Sequence, residues 1–230
     1  MHHLRHSLPR VVFLDALGTL VRLDPPWPAL VTLLRDRHGV QIDPDAARAA
    51  MLAEMDYYRS NCIDASDAAS LASLRLECAA LLREQLAPAL DTLDAAALVP
   101  TLLDSLHFEA YEDAFPALQR LRARGQRTVV VSNWDIALHD VLERCRLREL
   151  LDGVVCSAEV GVAKPDPAIF AAALALVGAD PAEAIHVGDS PEEDVAGAIA
   201  AGIRPLLLRR DSDGPTGPPE GPTLASLREL

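Results

Sequence analysis

Short apolar runs recur along the chain, each too short for a buried helix. They are rich in Val, Ile and Leu and lack regular polar alternation, which is typical of strands covered on both faces. The five runs occupy residues 11–14, 128–131, 154–156, 184–187 and 205–208. We therefore predict five buried strands.

Helical patterns alternate with these strands from residue 110 onward. The four segments with helical spacing of apolar residues are 115–124, 136–147, 167–177 and 195–201. A glycine follows three of them, as Gly125, Gly178 and Gly202, where a left-handed residue commonly ends a helix. This alternation predicts an α/β fold, with a Rossmann-like, mostly parallel sheet and right-handed connections.

Residues 21–107 separate the first strand from this alternation and have a different composition. No glycine occurs between Val40 and Arg124, and Ala and Leu dominate. Helical spacing there covers residues 27–38, 45–60, 66–86 and 91–106. We predict an inserted all-helical domain at 21–107 and a discontinuous α/β core at 1–20 and 108–230, of which about 212–230 is a Gly/Pro-rich loop and tail. The alternative is that these helices extend the same α/β layer.

Composition and charge indicate which kinds of molecule the protein is expected to bind. The 230 residues are 50% hydrophobic and 24% charged, as expected of a globular protein, and the net charge is −13. That charge disfavours nucleic acid and anionic membrane surfaces as partners. No stretch is apolar enough for a membrane span or a signal sequence, so we expect a cytoplasmic protein.

Cysteine and histidine usage does not predict a metal site. The four cysteines form no Cys-x-x-Cys pair, so we expect reduced, packed thiols: Cys62, Cys78, Cys145 and Cys156. His2, His3 and His6 lie near the N-terminus, where we do not expect a native metal site.

Polar residues with chemical potential follow the predicted strands. Ligands of an open parallel sheet bind at the carboxyl ends of its strands. Asp15 ends the first run, Ser132 and Asn133 follow the second, and Asp189 follows the fourth. Lys164, which precedes a predicted helix, is the only lysine in the chain. The sequence thus predicts carboxylates, a hydroxyl and a compact cation at one edge of the sheet.

Four segments resemble, in order and spacing, the motifs of the haloacid dehalogenase (HAD) superfamily. They are FLDALGTL, VVVSNWD, the pair Lys164-Pro165, and HVGDSPEEDVAGAIAAG. The resemblance spans residues 11–208, and the helical insert is similar to the cap that follows the first motif in members with a helical (C1) cap. It implies a hydrolase with a Rossmann-like core and a cap that reads the substrate.

The resemblance also implies roles for individual residues. Asp15 would be the nucleophile that forms a covalent intermediate. Ser132 and Lys164 would be catalytic and would bind the oxygens of the transferring group, with Lys164 also keeping Asp15 ionised. Asn133 would donate a hydrogen bond to the substrate.

A Mg²⁺ cofactor is implied in the same way. Its ligands would be the carboxylates of Asp15 and Asp189 and the backbone carbonyl of Leu17. Asp194 would orient this coordination shell without binding the ion. We interpret Thr19 as supporting the turn through its hydroxyl, and Glu193 as a structural residue in the first turn of a helix.

Leu17 departs from the pattern of the superfamily's phosphatases, which carry a second Asp at that position as general acid and base. Three readings remain. The favoured one is a Mg²⁺-dependent phosphohydrolase that forms an aspartyl-phosphate on Asp15 and acts on a small, phosphorylated molecule. The others are a metal-free hydrolase of the 2-haloacid dehalogenase type, whose halide needs no proton, and a low-turnover protein that binds a ligand or partner. Substrate-reading candidates in the cap are Trp27, Tyr57, Tyr58 and Arg59.

Overall fold

A six-stranded parallel sheet forms the centre of the molecule. The computed structural model describes residues 9–210 and 222–230. The strand order is β5-β4-β1-β6-β7-β8. These strands are β1 (Val11–Leu14), β4 (Arg127–Ser132), β5 (Gly153–Cys156), β6 (Ala184–Gly188), β7 (Arg204–Leu208) and β8 (Thr223–Leu224). The predicted parallel α/β fold is confirmed, and all five predicted strands are present.

Strand β1 is central, and its residues alternate between two buried faces. It pairs in parallel with β4 and β6, with Val11 opposite both Arg127 and Ala184. Val11 and Phe13 pack on one side of the sheet, and Val12 and Leu14 pack on the other. Helices therefore cover both faces: α5 (Ala114–Ala123), α6 (Leu138–Arg144), α7 (Ser157–Val160), α8 (Pro167–Val177) and α9 (Ala196–Ala200).

The insert contains the four predicted helices, which share a hydrophobic core. They are α1 (Trp27–His38), α2 (Pro44–Asn61), α3 (Ala68–Gln85) and α4 (Ala95–Ser105). Aspartate side chains accept hydrogen bonds from the first turns of three of them, at Asp43, Asp67 and Asp94. We refer to these four helices as the cap.

Two short strands that the sequence analysis did not predict lie where the chain enters and leaves the cap. Strand β2 (Val21–Leu23) pairs antiparallel with β3 (Phe108–Ala110). Residues 21–23, which we had included in an all-helical insert, are therefore extended. A three-residue strand is too short to show a period of two, so its sequence carries no pattern that distinguishes it from a loop.

The C-terminal part of the chain also differs from expectation. Residues 223–224 form the edge strand β8, and Leu227 is fully buried against the core. A π-helical turn, Pro191–Val195, precedes α9. The terminal histidines and residues 211–221, which include most of the Gly/Pro-rich loop, lie outside the described residues.

None of the four cysteines forms a disulfide; three are buried and Cys145 is half-buried. Among the described residues, no helix combines the length and the apolar character needed to cross a membrane.

Candidate active site

Asp15 lies directly after β1, at the carboxyl edge of the sheet. Its backbone N–H donates to the Val187 carbonyl at 2.9 Å, which continues the pairing of β1 with β6. The residue is only 6% exposed. Two donors form hydrogen bonds to its Oδ1: Ser132 Oγ at 2.8 Å and Lys164 Nζ at 2.6 Å. Neither bond occupies Oδ2. The structure thus brings together the three residues predicted to be catalytic.

Lys164 is buried between two carboxylates. Its Nζ donates to Asp15 and, also at 2.6 Å, to Oδ1 of Asp194. Asn133 holds the backbone of this lysine, because its Oδ1 accepts from Lys164 N at 2.7 Å and its Nδ2 donates to Lys164 O at 3.0 Å. The same Nδ2 donates to Glu193 Oε2 at 3.0 Å. Donation from Asn133 to a substrate would therefore require it to leave one of these acceptors.

Asp194 has protein partners on both carboxylate oxygens. Oδ1 accepts from Lys164 and lies 2.8 Å from His186 Nε2, and Oδ2 accepts from Ser190 N at 3.0 Å. Sequence analysis missed His186, although a histidine within the apolar run of β6 was a visible signal. Its ring is fully buried and packs edge-on against Phe170.

Asp189 follows β6 and faces Asp15 across the turn that follows Asp15. Gly18 makes this approach possible, because a Cβ there would lie 2.1 Å from Asp189 Oδ2. Gly18 also has φ +81°, a conformation that favours glycine. Carboxylate oxygens of Asp15, Asp189 and Asp194 lie within 4.8 Å of one another.

This cluster offers the carboxylate oxygens that Mg²⁺ prefers as ligands, and a bound cation would offset its negative charge. Burial and the neighbouring Asp194 raise the pKa of Asp15, although Lys164 lowers it. Shielding from bulk water and the charges of Asp15 and Asp194 raise the pKa of Asp189 to about 7. Lys164 thus favours the ionised form of Asp15, but its effect on this pKa is smaller than the effect of burial.

At Lys164 and Asp194, in contrast, the pKa shifts favour the charged forms. Burial lowers the pKa of Lys164, but the carboxylates of Asp15 and Asp194 outweigh it and raise the pKa above its usual range. Burial raises the pKa of Asp194, but Lys164 and His186 hold it well below its usual range. Lys164 and Asp194 therefore form a charged pair.

A cavity of about 1180 Å³ opens over these residues, between the cap and the core. Leu17 and Asp15 are both part of its lining. Tyr58 and Arg59 of α2 also line it, and Tyr58 Oη donates to Oδ2 of the core residue Asp135 at 2.9 Å.

The other two substrate-reading candidates of the cap, Trp27 and Tyr57, are not among the residues that line the cavity. Tyr57 donates to Glu77 at 2.8 Å, and Trp27 lies beneath the guanidinium of Arg48.

Three further residues near the candidate site have defined surroundings. Trp134, which follows Asn133, is buried and packs against Phe108 with ring centroids 5.3 Å apart. The interpretation of Thr19 is wrong: its buried hydroxyl has no hydrogen-bond partner among the described residues, and its backbone carbonyl accepts from Arg210. Glu193 lines the cavity as well as belonging to a helical turn.

A family model described as haloacid dehalogenase-like hydrolase matches residues 9–202. The chain belongs to this family. The match includes Asp15, Ser132, Lys164 and Asp189, and it runs through the whole cap.

Curated HAD-like proteins match part of the chain. A bovine haloacid dehalogenase-like hydrolase domain-containing protein 3 is 43% identical over 101 residues, which are 44% of this chain and 40% of that protein. A Thermus thermophilus phosphoserine phosphatase is 36% identical over 126 residues, 54% of this chain and 50% of the relative. The chain therefore spans about half the length of these curated relatives.

Solved HAD structures share the fold over nearly the whole chain. A HAD phosphatase from Thermococcus onnurineus has a TM-score of 0.65 and 23% identity, covering 96% of this chain and 95% of the other. A 2-haloacid dehalogenase from Pseudomonas syringae has a TM-score of 0.63 and 21% identity, with 96% of each chain covered. At these identities the likeness shows the HAD fold alone.

Proposed function

We propose that this HAD-like chain is a Mg²⁺-dependent phosphohydrolase that forms an aspartyl-phosphate on Asp15. The observation that carries the proposal is the cluster of carboxylates on Asp15, Asp189 and Asp194, within 4.8 Å, beside Lys164. Such a cluster suits a divalent cation and a phosphoryl group whose charge that cation offsets. The names of two relatives, a phosphoserine phosphatase and a glyceraldehyde 3-phosphate phosphatase, support a small, phosphorylated substrate.

The proposed ligands of the ion are Asp15, Asp189 and the backbone carbonyl of Leu17. Mg²⁺ bound there would supply positive charge beside the transferring phosphoryl group. Asp194 already has Lys164, His186 and Ser190 as partners, so we assign it to orienting Lys164 rather than to the ion.

The reaction would proceed in two displacements at phosphorus. Asp15 attacks through a carboxylate oxygen, forming a carboxyl–phosphate bond while the bond to the leaving oxygen breaks. Water then hydrolyses this acyl phosphate, releasing inorganic phosphate and restoring Asp15. Ser132 Oγ and Lys164 Nζ both converge on Asp15, so they are placed to bind the oxygens of a phosphoryl group attached there.

Leu17 restricts the substrates that such a site can use. A leucine cannot protonate the leaving oxygen, and a positioned general acid is worth about 10²–10⁴-fold in rate. We therefore propose phosphate esters with good leaving groups, or proton donation by water, and slow turnover of simple alkyl phosphates.

A metal-free dehalogenase is the second candidate, and Leu17 is the observation that favours it. Halide leaves without a proton, so a leucine at this position costs such an enzyme nothing. The carboxylate cluster counts against it, because without a bound cation the negative charges of Asp15, Asp189 and Asp194 disfavour an anionic 2-haloacid in this site. In the third reading, a low-turnover binding protein, the same site would bind a ligand or partner but catalyse little reaction.

A substrate survey separates these readings. Purified protein is incubated with 4-nitrophenyl phosphate, acetyl phosphate and 2-chloropropionate, in Mg²⁺ or in EDTA, and phosphate and chloride release are measured. We expect phosphate release in Mg²⁺ only, and none from Asp15→Asn, whose amide keeps the shape but is not a nucleophile. Chloride release in EDTA would support the dehalogenase instead, and absence of both products would support the binding protein.

A further inference from the structure

Arg210, which follows β7, contacts the turn after the nucleophile. Its Nη2 donates to the Thr19 carbonyl at 2.7 Å, and its Nε donates to the Gly18 carbonyl at 3.2 Å. Both acceptors lie within four residues of Asp15 in the chain. One guanidinium therefore fixes two consecutive carbonyls of this turn.

The guanidinium is itself held by two further residues, Asp113 and Tyr111. Asp113 accepts from Nη1 and Nη2, each at 3.0 Å, in a bidentate ion pair. The ring of Tyr111 lies 3.7 Å from the guanidinium carbon. The C-terminal segment fixes Asp113 in turn, because Ser226 Oγ and Leu227 N donate to its Oδ2 at 2.6 and 2.9 Å. The planar fork of an arginine can satisfy this set of acceptors, and the point charge of a lysine cannot.

The restrained turn borders the proposed metal site. Gly18 leaves the space that Asp189 Oδ2 occupies, so a shift of this turn changes the gap between Asp15 and Asp189. The Leu17 carbonyl belongs to the peptide unit directly before the Gly18 carbonyl that Arg210 holds. Gly18 N–H, in the same peptide unit as the Leu17 carbonyl, donates to the Val21 carbonyl at 2.8 Å, so contacts within this turn and the contacts from Arg210 together limit movement of the Leu17 carbonyl.

We propose that Arg210 is a positioning residue for the reaction, which fixes the turn at residues 16–20 and thereby the spacing of the metal-binding oxygens. Arg210 is not among the residues that line the cavity, so it would act through the turn. The inference rests on the proposed function for its effects on Mg²⁺ affinity and turnover, whereas the restraint of the turn is independent of both. Asp113 and the C-terminal segment extend the support to a part of the chain far from Asp15 in sequence.

The test compares Arg210→Ala, Arg210→Lys and Asp113→Asn with Arg127→Ala. Arg127 is a matched control because it also donates to a backbone carbonyl, that of Val177 at 2.8 Å, but at the opposite end of the sheet. Three quantities are measured in the full chain: hydrogen exchange of the peptide spanning residues 15–21, Mg²⁺ affinity by calorimetry, and kcat and KM for 4-nitrophenyl phosphate.

We expect faster exchange in residues 16–20 of Arg210→Ala, and a 10- to 100-fold loss in Mg²⁺ affinity and kcat, as for residues that orient metal ligands. KM should change little, Asp113→Asn should show the same changes in weaker form, and Arg210→Lys should recover only part of the loss. Arg127→Ala should lower the melting temperature without these effects. If Arg210→Ala does not fold, Arg210→Lys and Asp113→Asn decide.

Wild-type exchange and Mg²⁺ affinity in the Arg210 and Asp113 variants would overturn the inference. If the wild type neither binds Mg²⁺ nor releases phosphate, the proposed function fails, and the exchange measurement still judges the positioning of the turn.

Discussion

At Asp15, burial and charge act in opposite directions on one carboxyl group. Burial disfavours its ionised form, while Ser132 and Lys164 favour it by donating to a single oxygen. Asp189 and Asp194 add negative charge nearby. A nucleophile in this position gains from a bound cation, and this gain is the physical reason for assigning Mg²⁺ to the site.

Leu17→Asp tests the role of the missing acid. We expect it to raise kcat for alkyl phosphates, by up to about 10²-fold at the lower end of what a general acid contributes, because it restores a proton donor beside Asp15. Burial of the new carboxyl group opposes part of this gain. Phosphate release is measured in Mg²⁺ with Leu17→Asn as the control of similar size. A gain in both variants, or in neither, would contradict the assignment.

Gly18→Ala tests the close approach of Asp189. The left-handed φ of Gly18 costs an alanine about 1–2 kcal/mol, and the new methyl group would also displace the Asp189 carboxylate. We expect lower stability in urea and loss of Mg²⁺ binding. Gly39→Ala is the matched control: its φ is +69°, but nothing lies within 4 Å of the added carbon. Equal Mg²⁺ binding by the two variants would refute the role of Gly18.

At the scale of the elements, periodicity and strand-end chemistry were sufficient for most of the fold. The buried strands and the long helices were predictable because their apolar patterns repeat over several residues. Strands β2 and β3 were not predictable, since three residues are too few to show a repeat. Their pairing also joins residues that are far apart in the chain: Arg22 and Glu109, which lie opposite each other, are separated by 87 positions. Arg210 was not predictable for a related reason, because its partners are brought together only by tertiary structure.

Helix α2 of the cap carries a buried carboxyl group, Glu54, whose cost of burial is offset by few polar contacts. Glu54 is 4% exposed, and burial raises its pKa while a contact with the Cys78 thiol lowers it. Because the folded state binds this proton more tightly than the unfolded state, its stability falls as pH rises above about 4.5, until the pH reaches the folded pKa.

Glu54→Met should therefore raise the free energy of unfolding by about 1–3 kcal/mol at pH 8, and by less at pH 4.5. Urea unfolding at the two pH values measures this difference. Glu84→Met, at an exposed position of α3, is the control and should change stability little. A destabilised Glu54→Met would show that the carboxyl group has a structural partner stronger than the Cys78 thiol.

At the scale of the whole molecule, the cap and core meet over the carboxyl edge of the sheet and enclose the cavity. The hydrogen bond from Tyr58 to Asp135 joins them beside the segment that carries Ser132 and Asn133. The meeting of Asp15, Ser132, Lys164 and Asp189 at this edge was predictable, because parallel strands end together. The orientation of Asn133 toward Lys164 and Glu193 was not, since it depends on side-chain packing.

Calorimetric titration with Mg²⁺ tests whether the carboxylates of Asp15 and Asp189 hold this ion. The wild type is compared with Asp189→Ala and with Asp36→Ala, a control at an exposed position on α1. We expect one site per chain in the wild type and in Asp36→Ala, and no binding by Asp189→Ala. Equal binding by all three proteins, or no binding by the wild type, would refute the assignment of Mg²⁺ to these carboxylates.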